Sequence, residues 1–276
     1  MIDFTIPADL AAERDRVRRF VIDKIVPFER DPRLTSHGPT DELRQELVEL
    51  ARAEKLLTVQ APEELGGRGL THIEQAVIYE AADGDQPGIV IERTMNTMDR
   101  NYVGGHGVVR FENLVLPRES LLGDTGQALR YAQLRLAPAR LTHCMRWLGA
   151  AERAQSIAVD YAKTRTAFGK PIGEHEGVSF MLADNEIALH QCRLTIWHAC
   201  WLMDQGEKAR HESSIAKSFV SEELFKVADR CVQVLGGIGI SDETVVEMIF
   251  RDMRAFRLYD GPTEVHKYAI GRRVLR

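Results

Sequence analysis

Several features that would announce a function are missing from this chain. Its four cysteines, Cys144, Cys192, Cys200 and Cys231, form no CxxC pair and have no histidine at zinc-site spacing. Neither a metal motif nor a disulfide framework is written there; reduced, buried thiols and no metal are expected. Basic residues do not predominate: 36 Lys and Arg face 41 Asp and Glu, a net charge of −5, which removes the electrostatic case for a nucleic-acid partner. No apolar run approaches the roughly 18 residues of a membrane span. Met1-Ile2-Asp3-Phe4 lacks the basic and apolar regions of a secretory signal. A cytoplasmic protein with no membrane span is the resulting expectation. Gly66-Gly67-Arg68-Gly69 lacks the Lys-Ser/Thr ending of a phosphate-binding loop, so a structural bend is the better account. Internal repeats and low-complexity tracts are also missing.

What remains is an ordinary globular composition, 44% hydrophobic and 28% charged over 276 residues, enough for one or two domains with a real core. Residues 1–82 read as helical. Leu10, Arg14, Val17, Val21 and Ile25 recur at three- and four-residue steps until Pro27 stops the run. Thr40 is placed to cap a helix carrying Leu43, Leu47, Leu50 and Ala51. A glycine-rich loop follows at Pro62–Leu70, and Thr71 is placed to cap the next helix. Between 83 and 123 the character turns β: Ile89-Val90-Ile91 forms one strand-like run, and Val108, Val109, Phe111, Leu114, Val115 and Leu116 form another. From 124 to 276 the chain is helical again. Ala188, Cys192, Ile196 and Ala199 share one face, as do Ala216, Val220, Val227, Cys231 and Val234, and Gly236-Gly237 ends that second helix. Helices of about 20 residues with short connections predict an antiparallel bundle.

Three segments carry a family likeness: Arg165-Thr166-Ala167-Phe168-Gly169-Lys170-Pro171-Ile172, Gln233-Val234-Leu235-Gly236-Gly237-Ile238-Gly239 and Arg257-Leu258-Tyr259-Asp260-Gly261-Pro262-Thr263-Glu264-Val265-His266. In this order and spacing they resemble the C-terminal half of the acyl-CoA dehydrogenases, a family of flavoenzymes. Pro62–Leu70 looks like the family's Pro-Glu-x-x-Gly-Gly-x-Gly loop, and Phe111–Pro117 with Leu121-Leu122-Gly123 looks like the exit from its β domain. The resemblance implies a mainly α fold: an N-terminal helical domain (1–82), a remnant of a central β domain (83–123) and a C-terminal four-helix bundle (124–276). A full member carries on the order of 100 further residues, a domain's worth, before the Pro87-Gly88-Ile89 strand. Its Thr-Glu-Pro-x-x-Gly-Ser-Asp and Trp-Ile-Thr-Asn-like signatures are not found here. An internal deletion and an omitted segment both account for that.

The family reaction takes a proton from the carbon beside a thioester carbonyl and passes a hydride from the next carbon to flavin N5. It implies FAD, an acyl-CoA substrate, a role in fatty-acid metabolism, an electron-transfer flavoprotein as acceptor, and a homo-oligomer, dimer or tetramer. In the branch with an Asp-Gly-Pro-x-Glu-Val-His string, Asp260 stands as the α-proton base, and burial beside a flavin would raise its pKa. The plain alternative is a turn-opening Asp-Gly pair. The other base position used in the family falls at Ala139 and is vacant. Arg140 resembles an arginine kept beside the active site; a solvated helix charge is its plain alternative. Arg165 and Phe168 match positions that reach a partner subunit's cofactor, as do Gln233, Gly236 and Gly237. Pro262, Glu264 and Glu176 depart from the common pattern in the cofactor contacts, and the Thr263 hydroxyl is available to compensate. His143, His175 and His266 receive no catalytic role. Two other functions stay open: a nitroalkane oxidase-like flavoenzyme that also uses an aspartate base, and a shortened, non-catalytic paralogue that supports assembly.

Overall fold

A computed structural model of the chain describes residues 8–35, 38–54, 56, 88–99, 106–118, 121 and 124–276. The Pro62–Leu70 loop, the Thr71 cap, the 82/83 boundary and most of Leu121-Leu122-Gly123 lie outside those residues. Two compact units divide the chain, Met1–Ser120 and Leu121–Arg276.

In the first unit, helix α1 spans Ala8–Phe20 and helix α2 spans Asp41–Ala53. Thr40 caps α2 as expected, its side chain accepting from the Leu43 amide, with Asp41 and Glu42 in the first turn where the helix dipole favours them. The first helical run ends sooner than its periodicity predicts. At Val21–Ile25 it widens into a π turn, the Val26 amide reaching back to the Val21 carbonyl. Pro27 explains this: it has no N–H, and its ring crowds the carbonyl four residues back, so the turn before it opens. Val21 is 40% exposed there, outside any core stripe.

Strands β1 (Ile89–Met95) and β2 (His106–Phe111) pair antiparallel, with a shift in register between Ile91 and Arg93. Gly88 opens the hairpin at φ +95°; a Cβ there would stand 2.8 Å from the Glu112 carbonyl oxygen, so only glycine fits. The expected continuation of β2 through Leu114–Leu116 does not occur. Asn113 turns left-handed at φ +48°, which takes the chain off the ladder and leaves Val115 87% exposed.

The second unit is a bundle of α3 (Ala128–Thr164), α4 (Glu176–Asp204), α5 (Arg210–Leu235) and α6 (Val246–Phe256), with α7 (Thr263–Val274) packed on α5. Small residues let the long helices approach: Ala151, Ala154, Ala158 and Ala162 recur along α3 and are almost fully buried. Against them pack Cys192 and Ile196 of α4, Val220, Leu224, Val227 and Cys231 of α5, and Met253 and Phe256 of α6. Both apolar faces predicted for α4 and α5 are buried. Gly236 ends α5 at φ +60°, as its position after the last periodic residue predicts.

Side-chain contacts give the helix directions. Asn185 meets Gln155 at 2.8 Å while Arg193 meets Glu152, so α4 runs against α3. Cys144 feels the charge of Lys217, and Cys231 lies 3.9 Å from Gln155, so α5 runs with α3. The C-terminal ends of α3 and α5 therefore lie at one end of the bundle. Among the described residues no helix is long and apolar enough to cross a membrane.

Candidate active site

The turn between α6 and α7 carries Asp260, and the bundle is built to hold it. Asp260 and Gly261 are both left-handed, at φ +55° and +94°. Glycine adopts that region freely, but a non-glycine residue such as Asp260 is strained there and persists only where its surroundings impose it. Here the backbone carbonyls of the turn are taken by side chains from three helices. Arg140 Nε of α3 donates to the Asp260 carbonyl at 3.1 Å, and His266 Nε2 of α7 lies 3.2 Å from the same oxygen. A carbonyl only accepts, so this contact places the imidazole proton on Nε2. Lys217 Nζ of α5 donates to the Phe256 carbonyl at 2.7 Å and to that of Gly261 at 3.4 Å.

The Asp260 carboxyl itself faces His143, one turn along α3 from Arg140. His143 Nε2 lies 2.9 Å from Asp260 Oδ2, an ion-pair distance, although that oxygen is buried and has no aligned hydrogen bond among the described residues. Arg146 donates to His143 Nδ1 at 2.9 Å, which places the ring proton on Nε2, facing the carboxylate. Tyr259 and Trp147 complete the wall, the indole N–H donating to the phenol oxygen. Burial pushes the Asp260 pKa up, but His143 and the more distant charges of Lys217 and Arg135 outweigh it, so the carboxyl sits below its ordinary range. The upward shift expected from the sequence is therefore reversed within the protein's own side chains. Burial and the neighbouring Arg140 and Lys217 push His266 down to about 4, so it is neutral at physiological pH.

Beside the turn lies a cavity of about 390 Å³. Arg140 and His266, which hold the Asp260 carbonyl, line it together with Arg210 and Arg273, and its lining contains no carboxylate.

The remaining predicted residues lie elsewhere. Arg140 lies in the N-terminal half of α3 and Asp260 packs against it there, but Arg165 follows that helix's C-terminus, and Gln233, Gly236 and Gly237 close α5 at the same end. From His143 to Thr164 the axis of α3 advances about 30 Å, so one chain cannot bring both groups to a single small site. At this far end Phe168 is left-handed at φ +52° and 95% exposed. A Cβ on Gly236 or Gly237 would meet nothing within 4 Å, so the backbone there is open. Arg165 has no carboxylate within ion-pair distance among the described residues. Thr263 stands apart from both sets. Its buried hydroxyl donates to Glu222 Oε1 at 2.6 Å, alongside Arg257, and is engaged inside the protein.

Sequence reasoning missed His143, Lys217 and His266. Lys217 left a trace: with Ser213 and Ser221 it forms a polar i, i+4, i+8 line among the buried residues of α5, with Ser214 and Ser218 beside it.

Comparison with known proteins decides the ancestry of this arrangement. The family model "Acyl-CoA dehydrogenase, C-terminal domain" matches residues 126–275, and "Acyl-CoA dehydrogenase, N-terminal domain" matches 7–98. The chain belongs to the acyl-CoA dehydrogenase family. The probable acyl-CoA dehydrogenase FadE2 of Mycobacterium tuberculosis is 37% identical over 203 residues, 73% of this chain and 49% of that protein. Among solved structures, a putative acyl-CoA dehydrogenase from Mycobacterium abscessus superposes with TM-score 0.66 at 37% identity, covering 70% of this chain and 48% of the other. Butyryl-CoA dehydrogenase from Megasphaera elsdenii gives TM-score 0.66 at 29% identity, covering 70% and 50%. The chain thus spans about half the length of these relatives.

Proposed function

We propose that the chain is an FAD-dependent acyl-CoA dehydrogenase that introduces an α,β double bond into a thioester, with Asp260 as the base. The observation that carries this reading is a strained, carbonyl-clamped turn that presents a half-buried carboxylate to an imidazole. Held below the ordinary carboxylate range, Asp260 is ionised at neutral pH and so is in its proton-accepting form. Closure by a bound thioester removes water from the carboxylate and raises its basicity toward the operating range. Arg140 fixes the turn through the Asp260 carbonyl, while the carboxyl oxygen Oδ2 faces His143. The cavity beside the turn, lined by three arginines, suits the phosphates of a CoA ester.

FAD, when bound, supplies the hydride acceptor for the β-carbon, chemistry no side chain provides. The residues at the far end of the bundle fit such a group. Arg165 offers a guanidinium to a diphosphate, Phe168 an exposed ring, and Gln233 with Gly236 and Gly237 a side-chain amide and open backbone. Their separation from Asp260 favours a homo-oligomer in which each bundle serves a neighbour's cofactor with one end and its own substrate with the other. Thr263, bonded to Glu222, contributes through the shape of the α7 start. An electron-transfer flavoprotein is the acceptor this reading implies. No observation favours the nitroalkane-oxidising or the non-catalytic reading.

Asp260→Asn keeps the shape of the side chain and removes the base. The expected result is retained flavin absorbance with loss of its bleaching by acyl-CoA; undiminished bleaching refutes the assignment.

A further inference from the structure

We propose that Lys217 is the positioning residue of the base turn, clamping the segment from Phe256 to Gly261 and so fixing where the Asp260 carboxylate stands. The proposal rests on the reading of Asp260 as the base. Lys217 is among the largest fully buried side chains of the described residues, with no exposure to solvent. A buried ammonium is costly unless its donors are taken, and lysine is seldom tolerated inside without a partner. The usual partner would be a carboxylate, yet no ion pair of Lys217 occurs among the described residues. Its contacts are instead the Phe256 carbonyl at 2.7 Å, the Gly261 carbonyl at 3.4 Å, and the face of the Phe256 ring 4.4 Å away.

Those two carbonyls bracket the base. Phe256 is the last residue of α6, where carbonyls lack partners within the helix and a cation complements the helix dipole. Gly261 follows Asp260 directly, and both are left-handed. One ammonium thus ties the start of the strained segment to its end. A methionine would fill the same volume without desolvating a charge, so the core gains nothing from lysine that the turn does not use. The charge also acts on its surroundings: Asp260 is lowered and His266 is lowered partly through it. Burial brings the ammonium itself down to about 8, with Cys144, Asp260 and Glu222 opposing and Arg140 reinforcing that drop, so it remains largely charged at neutral pH.

The test uses the full chain carrying 13C at its aspartate side-chain carboxyls, with Asp260→Asn to identify the Asp260 resonance. Two variants separate shape from charge: Lys217→Met has neither donor nor charge, and Lys217→Gln keeps a donor alone. In both, the Asp260 carboxyl titration is expected to move to higher pH, a change that lost packing alone would not produce. In the flavin-loaded enzyme, bleaching by acyl-CoA should slow by about a hundredfold in Lys217→Met, as for a displaced catalytic group, while half-saturation stays within about twofold. Lys217→Gln should retain more of the rate. An unmoved Asp260 titration in both variants overturns the proposal, as does an unaltered bleaching rate. Should neither variant fold, the wild-type Asp260 resonance is followed from about pH 6 to 10, across the loss of the Lys217 proton. A displacement there supports the clamp, and a flat response overturns it. Undiminished bleaching in Asp260→Asn, with the titration still responding to Lys217, overturns the base assignment and leaves the clamp.

Discussion

Gly261→Ala puts the strained turn to a quantitative test. Gly261 sits at φ +94°, where an L-residue is disfavoured, and an added Cβ would stand 2.9 Å from His266 Nε2 and 3.3 Å from its Cε1. His266 is 2% exposed and packed, so the imidazole cannot step aside freely. Backbone strain of this kind costs about 1–3 kcal/mol, and losing the His266 contact to the Asp260 carbonyl costs about 1 kcal/mol more. The variant should therefore lose roughly 2–4 kcal/mol. All three tryptophans, Trp147, Trp197 and Trp201, lie on α3 and α4, so their fluorescence reports the bundle and nothing else in the chain. With a urea dependence near 2 kcal/mol per molar, the midpoint should fall by about 1–2 M at unchanged slope. His266→Ala removes the obstructing ring, so Gly261→Ala should cost clearly less in that background than in the wild type. A midpoint shift under about 0.3 M, or strictly additive effects, would mean the turn is not held as described.

Two further outcomes follow from the same site and core. Because Asp260 is held below its ordinary range, its contribution to stability is complete above the unfolded carboxylate pKa, about 4, and disappears as pH falls through the lower folded value. His143→Gln should therefore be less stable than wild type by on the order of 1 kcal/mol near neutrality, the two converging in acid; urea midpoints across pH check this, and parallel curves would contradict it. Burial raises the thiols of Cys144, Cys192 and Cys231 to about 12, so a thiol reagent at pH 8 should leave them untouched in the folded protein and count all four cysteines after unfolding. Rapid labelling of the native chain at these positions would show the core to be open.

How much of this was readable beforehand differs by element. The faces of α4 and α5 were legible because burial against other helices demands a 3.6-residue period, and Ala188, Cys192, Ile196 and Ala199 obey it. Thr40 and Gly236 were legible because helix ends need particular chemistry. Leu114–Leu116 misled because apolar, β-branched residues favour strands while the single left-handed Asn113 decides the path. Asp260 and Arg140 could be named from motif order, but the carboxyl's lowered pKa could not. It depends on His143, 117 positions earlier in the chain, whose approach only the packed helices reveal. The division of the predicted residues between two ends was equally hidden, since it follows from α3 and α5 running in the same direction.

That shared direction has a consequence for how damage spreads. If the turn at one end of the bundle takes the proton and the glycines at the other end face a neighbour's nucleotide, as proposed, each polypeptide would take part in two reaction centres and complete neither by itself. A faulty copy within an assembly would then impair its neighbour's chemistry as well as its own, and activity would fall faster than the fraction of intact chains.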